Sequence, residues 1–119
     1  MKSIKSNAVL LENIRALRKA WRSCRAGIWA ALAEQLEANS RNKVVVNLSR
    51  LNRSVREGEV VAVPGKVLGA GKVGHAMTVA AFEFSATARR RIEEGGGKPM
   101  TIMELLRQNP KGLGVKLVR

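Results

Sequence analysis

The chain has 119 residues, a length typical of one small domain, so residues 1–119 are expected to fold as a single domain around one modest core. Its 22 lysines and arginines outnumber nine acidic residues, all of them glutamates, and give a formal net charge of +13. Such an excess of like charge repels itself unless a polyanion lies beside it, and nucleic acid is the usual polyanion. The charge therefore favours a protein that binds RNA or DNA.

The sequence also argues against export and membrane insertion. Cys24 is the single cysteine, so no internal disulfide can form, and the first residues lack the long apolar segment of a secretory signal. No apolar run approaches the length that a membrane helix needs. We therefore expect a cytoplasmic protein with no membrane partner.

Few residues are available for an active site. His75 is the sole histidine and aspartate is absent, so a Ser-His-Asp triad would need a glutamate in the third place. The sequence has too few cysteine and histidine residues to form a zinc site. We expect no enzyme activity, no small-molecule substrate, no cofactor and no metal.

Two helices are predicted at the N-terminal end. The first has an apolar stripe at helical spacing, formed by Leu10, Ile14, Leu17 and Trp21. Gly27 interrupts the pattern, and a second stripe follows, formed by Ile28, Trp29, Leu32 and Leu36. Trp29 is interpreted as a core residue rather than a base-stacking one, and Cys24 as a small residue packed at the helix end. Arg22 and Arg25, near the junction of the two helices, are candidate nucleic-acid contacts.

A basic turn with Arg41 and Lys43, both candidate contacts, precedes a short buried strand at Val44–Val46. Asn47 is then expected to cap a brief helix whose apolar face consists of Leu48, Leu51 and Val55. Arg50 and Arg53 project from the opposite side. Arginines held three residues apart by an anchored helix suit bidentate phosphate contacts, so this pair is the sharpest candidate in the chain.

Residues 59–84 contain two apolar, β-branched runs around a basic, glycine-rich segment. The first strand is expected to end at Pro64-Gly65, and the second covers Met77–Phe84. Lys66 and Lys72 lie between them. The glycines of this segment match a dinucleotide-binding fingerprint, but that fingerprint needs a following helix, whereas a strand follows here. A turn-rich connection is the favoured interpretation.

Shorter elements complete the chain. Ser85 is expected to cap a helix whose three arginines, residues 89–91, are partly neutralised by Glu93 and Glu94 four residues after the first two. An extended piece at residues 98–100, a helix opened by a Thr101–Glu104 capping box and a strand at Val115–Val118 follow. Two helices followed by alternating short strands and helices predict a small α/β domain.

Four segments occur in the same order in a known family. They are residues 46–53 (VNLSRLNR), 63–69 (VPGKVLG), 78–82 (TVAAF) and 109–112 (NPKG). With these motifs the chain resembles the archaeal and eukaryotic large-subunit ribosomal protein family called L-eighteen-e, and its length is similar to the archaeal type. The segment at residues 70–73 is less acidic than the family pattern.

The resemblance implies a structural protein of the large ribosomal subunit, placed in cytoplasmic ribosomes beside ribosomal RNA and neighbouring ribosomal proteins. It also implies the fold of the ribosomal protein L-fifteen family, in which strands and helices form an irregular superhelical stack. The family positions carried over as RNA contacts are Arg50, Arg53, Lys66 and Lys111. The alternative is a basic DNA-binding or chromatin-type module, which predicts a groove-reading helix that the sequence does not show.

Overall fold

The computed structural model describes residues 7–38 and 44–119. The helices in these ranges are α1 (Asn7–Cys24), α2 (Gly27–Ala38), α3 (Leu48–Ser54), α4 (Ala86–Glu94) and α5 (Ile102–Gln108). The strands are β1 (Val44–Asn47), β2 (Val60–Leu68), β3 (Thr78–Phe84), β4 (Lys98–Thr101) and β5 (Val115–Leu117). The α/β class and the predicted order, two helices and then alternating strands and helices, are confirmed.

The successive strands form one sheet whose described pairings are all parallel. Its order is β1-β2-β3-β4, and β5 also pairs with β2. β1 pairs with the C-terminal half of β2, whereas β5 pairs with its N-terminal half. β2 is therefore the strand on which the rest of the sheet is built.

Helices cover both faces of the sheet, and strand alternation assigns the core side chains to one face or the other. Ala62, Ala80 and Phe82 pack against α1, α2 and α5 in a first core that includes Trp29. The second core joins α3 and α4 to the opposite face through the other alternate residues, Val61, Val63, Val79 and Ala81. The predicted apolar stripes of α1 and α2 are confirmed in the first core, with Trp29 fully buried.

The prediction that the first strand ends at Pro64-Gly65 is wrong. β2 continues to Leu68, with a shift in its pairing to β3 between Val63 and Lys66. Proline lacks a backbone N–H, and such an irregular stretch tolerates it. A Cβ atom at Gly65 would lie 2.0 Å from the Val44 carbonyl oxygen, so this glycine permits the close approach of β1.

β1 is less buried than predicted because it pairs with β2 only among the described strands, so that Val45 is 54% exposed while Val46 is buried.

The N-terminal caps of the helices agree better with the prediction than the burial of β1 does. Ser85 Oγ accepts the Ala88 N–H at 3.1 Å, and Thr101 with Glu104 forms the reciprocal capping box. Asn47 occupies the N-cap position of α3 but forms no side-chain capping bond.

Candidate nucleic-acid interface

The glycine-rich segment, residues 69–77, connects two neighbouring parallel strands. Parallel strands need a connection that returns to the starting edge of the sheet, and a helix usually provides it. Here an irregular segment makes the return. It contacts both α3 and α4, as the hydrogen bonds below show, and we call it the glycine loop.

Contacts with α3 hold one side of the glycine loop. The Ser49 N–H donates to the Ala70 carbonyl at 3.0 Å, and the Gly74 N–H donates to Asn52 Oδ1 at 2.8 Å. His75 Nε2 hydrogen-bonds the Val55 carbonyl. Gly71 has a φ of +108°, and a Cβ atom there would lie 2.5 Å from the Ser49 nitrogen, so only glycine fits.

Arg91 of α4 holds the other side of the glycine loop. Its Nη1 donates to the carbonyls of Gly69 at 2.6 Å and Gly71 at 3.0 Å. Sequence reasoning missed this role, because it predicted a solvated helix face neutralised by Glu93 and Glu94. Within the described ranges those glutamates form no ion pair with the α4 arginines. The one available signal was that an irregular loop has carbonyl groups in need of donors.

The α3 arginines lie beside this loop. Leu48 and Leu51 are fully buried in the second core, which fixes the helix, and Arg50 and Arg53 are exposed on the side turned away from it. Each arginine directly follows one of the two α3 residues that hydrogen-bond the loop, Ser49 and Asn52. Neither arginine forms an ion pair with any described residue.

Lys72 is exposed at the tip of the glycine loop. It lines a cavity of about 420 Å³ together with the adjoining loop residues, with Arg91 and Glu94 of α4, and with Gly95 just after that helix. The structure therefore places Lys72 near α4 on one side of the glycine loop and the α3 arginines on its other side. We call Arg50, Arg53, Lys72 and Arg91 the glycine-loop surface.

A second group of predicted residues lies at the junction of α1 and α2. Arg22 is exposed in the last turn of α1, and Arg25 follows in a left-handed conformation with φ of 59°. The Arg25 N–H donates to the Trp21 carbonyl at 2.8 Å, and its guanidinium lies 5.2 Å from the centre of the Trp21 ring. Left-handed conformations are unfavourable for residues other than glycine, so Arg25 carries local strain.

Lys111 is fixed at the same junction. The Pro110 carbonyl accepts the Trp29 indole N–H at 2.8 Å and lies 3.2 Å from Cys24 Sγ. These contacts hold the Asn-Pro-Lys-Gly segment against the first core, with Lys111 exposed. Cys24 is exposed beside it instead of packed inside the helix end. We call Arg22, Arg25 and Lys111 the helix-junction surface.

The remaining predicted residues belong to neither surface. Val67 packs in the second core, so Lys66, as its neighbour in the strand, points to the other face of the sheet. Lys66 is half-buried and in register with Glu83, whose Oε2 atom is buried with no hydrogen-bond partner among the described residues. Arg41 and Lys43 lie outside the described residues.

Most of the positive charge is left unneutralised. In residues 7–38 and 44–119 there are two ion pairs, Arg18–Glu37 and Lys116–Glu59. Glu59 also accepts the backbone N–H of Arg56 at 2.7 Å, and this bond, with the nearby charges of Lys116 and Arg56, lowers the pKa of the carboxyl group. Glu59 therefore fixes the turn after α3, and it forms no ion pair with Arg50 or Arg53.

Among the described residues, no group of three or more histidine, cysteine or acidic side chains is arranged to hold a metal ion. None of the described helices is long and apolar enough to cross a membrane.

Fold and charge together define a small, strongly basic α/β protein with exposed cations on both sides of a parallel sheet. The family described as ribosomal protein 60S L18 and 50S L18e matches residues 2–119. The chain therefore belongs to this family of large-subunit ribosomal proteins, and the resemblance identified from its motifs is confirmed.

Archaeal relatives agree with this assignment over almost the whole chain. The chain is 44% identical over 113 residues to the large ribosomal subunit protein eL18 of Pyrobaculum aerophilum, covering 95% of this chain and 93% of the relative. It is 43% identical over 115 residues to eL18 of Methanoregula boonei, covering 97% and 95%. The match to eL18 of Methanothermobacter thermautotrophicus is 42% over 117 residues, covering 98% and 97%.

Proposed function

We propose that the protein is a structural, non-catalytic component of cytoplasmic ribosomes that binds large-subunit ribosomal RNA as one domain spanning residues 1–119. The observation that carries this proposal is the pair Arg50 and Arg53. These exposed arginines lack acidic partners among the described residues and lie on a helix anchored by buried leucines. A guanidinium held in this way loses little conformational freedom when it contacts a phosphate.

The glycine-loop surface supplies the main RNA contact in this proposal. Its loop is bonded to α3 and α4, so the backbone positions that carry the cations keep a fixed spacing when RNA approaches. Binding neutralises phosphates and releases counterions, which makes the affinity depend strongly on salt. Specificity comes from the match between this rigid surface and the shape of folded RNA.

The helix-junction surface supplies a second contact, through Arg22, Arg25 and Lys111. Arg25 supports this role because its side chain is exposed and, like that of Arg22, forms no ion pair with a described residue. Arg41, Lys43 and Lys66 remain proposed contacts from the sequence.

The aromatic residues favour recognition by shape over base stacking. Trp29 and Phe82 are buried in the first core, and the half-buried Trp21 and Phe84 rings each lie under an arginine. A protein that binds single strands by stacking needs exposed rings, which these four side chains do not offer. An RNA with a fixed three-dimensional shape is therefore the proposed partner.

Sedimentation of a native-host lysate through sucrose gradients tests the proposal. The protein should migrate with the large subunit at low salt and leave it only at high salt. Migration as free protein or with chromosomal DNA at low salt would contradict the proposal. Competition between duplex DNA and large-subunit RNA for the purified protein then tests the DNA-binding alternative, which predicts equal affinities.

A further inference from the structure

A groove between α1 and α5 lies apart from the glycine-loop surface and has no role in the proposed RNA contact there. It has a volume of about 860 Å³. One wall comes from α1 through Ala16, Ala20 and Cys24, spaced four residues apart. Met103 and Leu106 of α5, with Pro110 beyond its end, form the other wall. This spacing makes two apolar stripes that face each other across the groove.

The rim of the groove is basic. Lys19, Arg107 and Lys111 are exposed along it, and its lining includes no acidic residue. None of these three side chains forms an ion pair with a described residue. The groove thus combines an apolar floor with a positive edge that forms no ion pair with the described residues, although the charge of Arg107 lies near Glu104.

This combination is poorly suited to nucleic acid. The lining includes no aromatic ring on which a base could stack. Phosphates would meet the rim, but their sugars and bases would leave the apolar floor without a matching surface. An apolar side chain of a polypeptide would fill the floor, and burial of that apolar area is favourable.

We propose that the groove binds a short acidic, amphipathic segment of a neighbouring protein in the large subunit. This inference rests on the proposed ribosomal role. The apolar side chains of the segment enter between α1 and α5, and its carboxylates lie beside Lys19 and Arg107, whereas Lys111 at the end of the groove keeps its proposed RNA contact. The α1 wall from Ala16 to Cys24 is about 12 Å long, which matches roughly two helical turns of a partner. A helix laid in a groove is a common mode of peptide recognition.

Cys24 provides the experiment, because it is the single cysteine of the chain and lines the groove. A maleimide-linked benzophenone is attached to Cys24, and the labelled protein is added back to salt-stripped large subunits of the native host. After irradiation, mass spectrometry identifies the cross-linked component. The expected product is a peptide with apolar and acidic residues from another large-subunit protein. Cross-linking to RNA alone, to a basic peptide, or to nothing would overturn the inference.

Two variants make the result specific. Ala16→Trp, with the same label at Cys24, fills the groove from its half-buried α1 wall and should lower the cross-link yield about ten-fold, since the side chain occupies the space of the partner. Lys72→Cys combined with Cys24→Ser moves the label to the glycine-loop surface, where RNA should be cross-linked. Failure of the unlabelled wild-type protein to rejoin the stripped subunit contradicts the ribosomal role itself. Normal rejoining without a peptide cross-link from Cys24 contradicts the groove inference alone.

Discussion

Simultaneous replacement of Arg50 and Arg53 by alanine is the most direct test of the glycine-loop surface. Both side chains are exposed and unpaired among the described residues, so the unfolding free energy should change by less than about 0.5 kcal/mol. Each phosphate neutralised contributes about 0.7–0.9 to the slope of log affinity against log salt. Loss of two contacts should lower that slope by about 1.4–1.8 and weaken binding about 25- to 60-fold near 0.1 M salt.

Filter binding of labelled large-subunit ribosomal RNA over a series of salt concentrations measures both quantities, and urea unfolding checks the fold. Lys98→Ala/Arg107→Ala is the matched control, because it also lowers the net charge from +13 to +11 but leaves the glycine-loop surface intact. For this control, the slope of log affinity against log salt should change far less. Equal losses in the two variants would mean that net charge alone drives binding, and an unchanged slope for Arg50→Ala/Arg53→Ala would remove these residues from the interface.

Three further predictions concern single residues. Gly71→Ala should lower the unfolding free energy by about 2–4 kcal/mol in urea titrations, since it combines a positive φ with a clash against Ser49; an unchanged midpoint would show that the loop can move away. Arg25→Gly should raise the unfolding free energy by about 0.5–1 kcal/mol, because glycine relieves the left-handed strain, while RNA binding weakens; a loss of stability would mean that the ring contact outweighs the strain. A backbone hydrogen bond at the start of α5 lowers the pKa of Glu104 below its ordinary value of 4.5, so its stabilisation is present above that pH and is lost as the pH falls through the lower folded value. Glu104→Gln should therefore flatten the loss of stability on acidification below about pH 4.5, and an equally steep loss would contradict this assignment.

Local signals made the helices and two of their caps, Ser85 and Thr101, predictable. The apolar stripe of α1 and the capping box at Thr101 depend on residues within a few positions of one another, and both are present in the structure. The course of β2 was not predictable in the same way. Pro64 and Gly65 usually end a strand, and they are accommodated here only because β2 is irregular at that point and β1 approaches closely.

The candidate site shows the same division between local and long-range information. Arg50 and Arg53 were identified because their own helix contains the leucines that anchor it. The role of Arg91 depends on two carbonyls about twenty residues earlier in the chain, and nothing near Arg91 in the sequence indicates them. Likewise, Lys66 lies within a family motif, but the side chain's position on the face of the sheet opposite Val67 depends on the register of β2.

The glycine-loop surface depends both on contacts within α3 and on contacts between distant parts of the chain, and the glycine loop is the reason. A helical connection between β2 and β3 would satisfy its own backbone groups, whereas this irregular loop needs donors and acceptors from the helices on each side. Ser49, Asn52 and Arg91 provide them, and they fix α3 and α4 relative to the loop. In the proposed RNA contact, this bonding holds the backbone positions that carry the cations at fixed distances. Arg91→Ala should therefore weaken RNA binding by more than the loss of one charge, and Arg90→Ala, an exposed neighbour on the same helix, is the matched comparison. Equal effects of the two substitutions would show that Arg91 contributes only its charge.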